Sequence, residues 1–122
     1  MNRTPGRRPQ RVAEAIREAA AEFLQSQARD PRIGMVTVTN VRVTADLKRA
    51  VVAVMVHGDA AAKQQSIRAL AHAAPAVRRE IGGRLRLKTV PEVVFELDRD
   101  MERATRIDQL LAELRDAGQR DA

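Results

Sequence analysis

The sequence predicts an α+β domain in the order helix, strand, strand, helix, kink, helix, strand, with an extra C-terminal helix. Three observations carry that prediction. Apolar residues recur with a period near 3.6 over Val12, Ile16, Ala19, Ala20, Phe23 and Leu24, and again over Ile67, Leu70, Ala71 and Ala74 followed by Val77, Ile81 and Leu85. Two β-branched runs, Met35 to Val43 and Arg49 to Val56, are joined by a short polar turn. Proline and glycine punctuate the chain between these stretches.

Residues 1 to 9 hold Arg3, Arg7 and Arg8 with two prolines and a glycine, and read as a flexible basic arm. The body, 10 to 114, opens with an amphipathic helix over Gln10 to Ala28, in which Glu14 and Glu18 suit the positive end of the helix dipole. Asp30-Pro31-Arg32-Ile33-Gly34 ends that helix. In the first strand Val36 and Val38 lie out of phase with Val41 and Val43, which calls for a bulge near Asn40 or a sheet covered on one side. Thr44 to Lys48 makes the turn. Arg49 to Val56 is nearly all apolar and reads as a buried strand, antiparallel to the first.

Ala60 to Ala74 then forms a helix that Pro75 should interrupt. Proline has no N–H, and its ring collides with the carbonyl four residues back. It also steers Ala74 away from helical angles. The interhelical kink is therefore placed at Ala73, Ala74 and Pro75, with a second helix from Ala76 to about Leu85, loosened by Gly82-Gly83. Glu92 to Leu97 alternates Val93, Phe95 and Leu97 on an inward face as a third strand. Asp98 to Asp100 caps a last helix striped by Ile107, Leu110, Leu111 and Leu114. Residues 115 to 122 read as a flexible tail.

A chain of 122 residues fits one domain, and its 44% hydrophobic and 31% charged content suits a packed core. It has two Phe and no Trp or Tyr, so single-stranded bases cannot be recognised by rows of stacked aromatics. Without cysteine there are no disulfides, thiolate nucleophiles or cysteine-ligated zinc, as suits a reducing compartment. No long apolar run marks a membrane span, so a soluble cytoplasmic protein is expected.

Catalysis finds no foothold. His57 and His72 lie in different elements, away from a nucleophile or carboxylate at a catalytic spacing, and no ligand cluster suggests a metal. Neither a Walker loop nor a dinucleotide fingerprint occurs. The expectation is a protein that is not an enzyme and needs no cofactor.

Charge is the stronger signal. Up to Pro91 there are 17 Lys and Arg against 7 Asp and Glu, and from Glu92 onward 5 against 9, within a total of +6. The basic body is the footprint of a polyanion binder. Arg7, Arg8 and Arg11 cluster at the first helix. Arg78, Arg79, Arg84, Arg86 and Lys88 follow the kink, with Glu80 their one nearby acid, four residues from Arg84. Arginine's planar fork can bond a phosphate through two N–H groups.

Five stretches together resemble the ribosome-binding factor A family of small-subunit assembly factors. They are Gly6 to Glu14, Asp30 to Val38, Val41 to Leu47, Leu85 to Glu92 and Arg106 to Leu111, so the resemblance runs from about Arg7 to Leu111. It implies a type II KH-like domain, with helices covering a three-stranded sheet. It also implies binding to 16S rRNA in the free 30S subunit, help with late maturation near the decoding region and, in some bacteria, a link to growth in the cold. That family has an alanine, any residue, then a glycine at its kink; here Ala73, Ala74 and Pro75 stand there, so proline replaces the glycine. Contact should then rest on arginine side chains more than on main-chain amides.

Two other readings are kept. A DNA-binding or nucleoid-associated protein would need a helix-turn-helix around Pro75, although no dimerisation seam is evident and a monomer is expected. The acidic last helix could bind a ribosomal protein or an assembly GTPase.

Overall fold

In a computed structural model, which describes residues 7–26 and 31–120, the first helix α1 spans Arg7–Ser26. It starts earlier than Gln10, inside the segment read as an arm. Pro9 allows this, because a first-turn residue has no intrahelical acceptor for the N–H that proline lacks. Residues 1–6, Gln27 and Ala28, Asp30, and the last two residues of the expected tail lie outside the described residues. Val12, Ile16, Ala19 and Ala20 are buried, and the two alanines let α1 lie close to the strand beneath it.

That strand, β1 (Val36–Val43), pairs antiparallel with β2 (Arg49–Val56). Val38 faces Val54, Asn40 faces Ala53 and Val41 faces Val52, with the register shifting between Val38 and Asn40. The extra residue turns both Val38 and Val41 onto the helix side, so the expected bulge is present. In the connecting turn, Asp46 accepts from the Thr44 hydroxyl at 2.7 Å and the Lys48 amide at 3.1 Å. These bonds, the Thr44 one foremost, hold its carboxyl below the usual range.

From β2 the chain enters α2 (Ala60–Arg84), capped by Asp59, whose carboxylate accepts from the Ala62 amide at 2.8 Å. It returns as β3 (Glu92–Leu97), parallel to β2, and the sheet order is β1-β2-β3. α1 and α2 cover one face of this sheet. Ile16, Val52, Val54, Leu70, Val77 and Ile81 are fully buried between the layers. Burying each such side chain is worth about 1.5–3 kcal/mol.

The expected break at Pro75 is not there. α2 is one helix of 25 residues with Pro75 inside it, and Ala73 and Ala74 are helical. Proline removes the bond to the Ala71 carbonyl, but Leu70 and Val77 on either side are both fully buried against the same core. Their burial holds both half-helices on one core. The buried face is also rotated from the expected one: Ser66, Ala69, Leu70, Val77 and Ile81 point inward, while Ala71 is exposed. A helix-turn-helix around Pro75 is excluded by the same continuity.

The last helix, α3 (Arg99–Arg120), runs well beyond Leu114, through most of the segment read as a tail. Asp98 caps it, accepting from the Asp100 and Met101 amides at 3.0 and 3.1 Å. Its first turn is tied to α2 by the Lys63–Glu102 ion pair at 2.6 Å. Met101, Glu102, Thr105 and Gln109 border a hollow shared with Met55 and His57, while every residue from Arg103 to Gln119 is exposed. The apolar stripe shares this exposure, at Ile107, Leu110, Leu111 and Leu114.

Candidate nucleic-acid interface

The basic residues divide according to the element that holds them. Arg78 and Arg79 ride on α2 one turn after Pro75. Arg86 and Lys88 lie beyond it, in an irregular segment whose Leu85, Leu87 and Val90 pack on the core and in which the Leu87 amide donates to the Leu85 carbonyl at 2.9 Å. With Leu85, Leu87 and Val90 against the core, Arg86 and Lys88 are left exposed. The segment is pinned by the Leu85 amide on the Ile81 carbonyl at 2.8 Å and by Pro91, which is fully buried.

Arg78 donates from Nη2 to the Val90 carbonyl at 2.9 Å, which fixes the guanidinium at the rim of a hollow. This hollow, about 300 Å³, is lined by Ala71, Ala74, Pro75, Arg78, Glu92 and Val93, between the middle of α2 and the start of β3. Its floor offers no free amide at Pro75, and Glu92 at one wall disfavours a phosphate there. The hollow suits the edge of a ligand rather than its charge.

Arg84 is different. Its Nη1 pairs with Glu22 at 2.7 Å and its Nε with Glu80 at 3.1 Å. The Glu22 hydrogen bond, then the Glu80 one, raise its pKa. Two carboxylates on one guanidinium leave little positive field for a phosphate. Arg84 acts as a clamp between α1 and α2, and the sequence reading had seen only its Glu80 partner.

Arg8 and Arg11 are exposed near the start of α1, and the side chain of Arg7 lies outside the described residues. Arg84 meets α1 at Glu22, so the two basic groups sit near opposite ends of this helix. From Arg11 to Glu22 the separation along the axis is about 16 Å. Glu14, Glu18 and Glu22 line the exposed side of α1 between them at four-residue steps. The structure does not bring the two groups into one continuous surface.

One residue was missed from sequence. Arg68 is exposed on α2 and stands three helical turns from Arg79, on the same side. The spacing was available to read, but a helix broken at Pro75 has no common face on which to place the two. His72, between them, is exposed, as is His57 at the end of β2. Among the described residues no group of His, Asp and Glu could hold a metal ion.

The family profile described as ribosome-binding factor A matches residues 8–111. The chain belongs to the ribosome-binding factor A family. The chain is 50% identical over 111 residues to the ribosome-binding factor A of Gemmatimonas aurantiaca, covering 90% of this chain and 76% of that one. It is 45% identical over 107 residues to that of Geobacter sulfurreducens, covering 88% and 91%. The crystal structure of ribosome-binding factor A from Thermus thermophilus superposes with a TM-score of 0.66 at 25% identity, over 75% of this chain and 97% of that one. A homology model of the Thermus thermophilus factor, fitted into a cryo-electron-microscopy map of a 30S complex with ribosome-binding factor A, superposes at 0.59, with 26% identity over 71% and 91%. The KH-like α+β fold is thus shared with the family's solved members. The family match ends inside α3, so Leu114 and the last turns lie beyond it.

Proposed function

We propose that this protein is a ribosome assembly factor that binds 16S rRNA in the free 30S subunit and assists late maturation of that subunit without catalysing a reaction. The observation that carries the reading is the exposed Arg79, Arg86 and Lys88: among the described residues none of them has a carboxylate at ion-pair distance. Such unneutralised charge on a KH-like domain is the equipment for holding a phosphate backbone. The Thermus thermophilus relative fitted into a 30S complex supports the choice of the small subunit over DNA. The protein then works in the cytoplasm, where ribosomes assemble. No helix among the described residues is long and apolar enough to cross a membrane.

Cosedimentation with purified 30S subunits in a sucrose gradient tests this reading. The protein should travel with free 30S particles, and replacing Arg79, Arg86 and Lys88 with Ala should release it at lower salt than the unaltered protein. Migration with chromosomal DNA instead, or release unaffected by the triple substitution, would defeat the proposal. Crosslinking to rRNA and mapping the sites would then place the contact.

A second role belongs to α3. Its exposed stripe of Ile107, Leu110, Leu111 and Leu114 has no use against phosphates and suits the apolar groove of a protein, such as a ribosomal protein or an assembly GTPase. Truncation after Leu97 that left every protein partner bound would remove this role.

A further inference from the structure

The continuity of α2 creates a surface that a broken helix would not have. Arg68, His72, Pro75 and Arg79 recur at i, i+4, i+7 and i+11, within about 60° of one another around the axis. All four are exposed. The ridge from Arg68 to Arg79 is about 16 Å long. α2 packs against α1, β2 and β3, and its buried side carries Ser66, Ala69, Leu70, Val77 and Ile81, on the far side of the helix from this ridge.

No acid sits on it. The carboxylates that reach α2 are engaged elsewhere: Glu80 and Glu22 hold Arg84, and Glu102 holds Lys63. Glu92 lies at the hollow beside Arg78, toward β3. Among the described residues neither Arg68 nor Arg79 has an ion-pair partner.

We propose that Arg68, His72 and Arg79 form a phosphate-binding ridge on the outward face of α2, and that it takes the backbone of base-paired RNA. The inference rests on the RNA-binding reading above and specifies its ligand. Single strands are gripped by stacking unpaired bases on aromatics such as Phe, Tyr and Trp or, in KH domains, by a glycine loop between two helices. This chain has only Phe23, half-buried, and Phe95, buried, and α2 runs through Ala73, Ala74 and Pro75 where such a loop would lie. A convex row of arginines instead meets phosphates that a duplex holds at fixed positions. His72 lies between the two arginines, is exposed, and offers a ring N–H donor to the same phosphate backbone. This ridge is separate from Arg86 and Lys88, which project from the segment after α2.

The test measures binding of the full chain to purified 30S subunits over roughly 50 to 300 mM salt, with an RNA duplex of about 16 base pairs or the unpaired strand as competitor. Arg68→Ala should weaken binding about eightfold at 0.1 M salt and make the log–log salt slope shallower by about 0.9. Arg68→Lys should restore the slope, since it keeps the charge. The duplex should compete better than the unpaired strand. Circular dichroism checks that each variant is folded. If R68A and R79A bind like the unaltered protein while R86A and K88A are weakened, the ridge is wrong and RNA binding stands. If the unaltered protein does not bind 30S subunits, the underlying reading has failed. Equal competition by the unpaired strand overturns the assignment of base-paired RNA.

Discussion

Pro75→Ala puts a number on the unbroken α2. Inside a helix proline is about 3 kcal/mol less favourable than alanine, mainly through the lost hydrogen bond and the ring clash. Here the missing bond is to the Ala71 carbonyl, since α2 runs uninterrupted from Ala60 to Arg84. Part of the gain is offset, because alanine restores freedom to the unfolded chain worth about 0.4–1 kcal/mol. The net expectation is a stabilisation of about 2 kcal/mol, or a rise in Tm of roughly 8 °C for a domain of this size. Thermal unfolding followed by circular dichroism or calorimetry reads it directly. The same variant has a functional arm. The new amide at position 75 would be taken up by the Ala71 carbonyl and not offered to RNA, so affinity for 30S subunits should change less than about twofold. An unchanged or lowered Tm would show that the helix opens at Pro75 in solution. A marked gain in affinity would show the amide reaching the nucleic acid, and either result would refute the reasoning.

Three other expectations follow from particular contacts. Arg84→Ala should leave the salt slope of 30S binding unchanged, because Glu22 and Glu80 already offset its charge, whereas Arg86→Ala should make it shallower by about 0.9. Leu70→Ala, at a fully buried position, should cost about 2–5 kcal/mol in denaturant unfolding. The Asp98 carboxyl is lowered in pKa by the Thr39 hydroxyl first, then by the Met101 and Asp100 amides. A lowered folded-state value means that its contribution is present above the unfolded pKa, about 3.9, and is lost as pH falls through the folded value. Asp98→Asn should therefore flatten the acid limb of the stability–pH curve, and an unaltered limb would contradict it.

Local pattern was enough wherever one element's own residues decide the outcome. The shift of phase between Val38 and Val41 called for a bulge because a pleated strand cannot put both on one face without an extra residue. Alternation of Val93 and Phe95 marked the inward face of β3 for the same reason. The family was legible too, since its segments recur in order from Arg7 to Leu111 and the profile match covers residues 8–111. The candidate interface was legible only as a list of cations, because charge can be read from the chain but its neutralisation cannot.

Three features came only with packing. Pro75 carries a strong local preference for a break, yet Leu70 and Val77 are buried in one core on either side of it, and that burial exceeds the local penalty. Arg84 meets Glu22 from a helix far away in sequence, so its role as a clamp depends on how α1 and α2 lie together. The stripe on α3 has the spacing of a packed helix, but the Asp98 cap and the Lys63–Glu102 pair hold only its first turn, and the residues from Arg103 to Gln119 are exposed. Periodicity tells which residues share a face. Which face meets the core depends on partners remote in the chain, and only the folded arrangement brings those partners together.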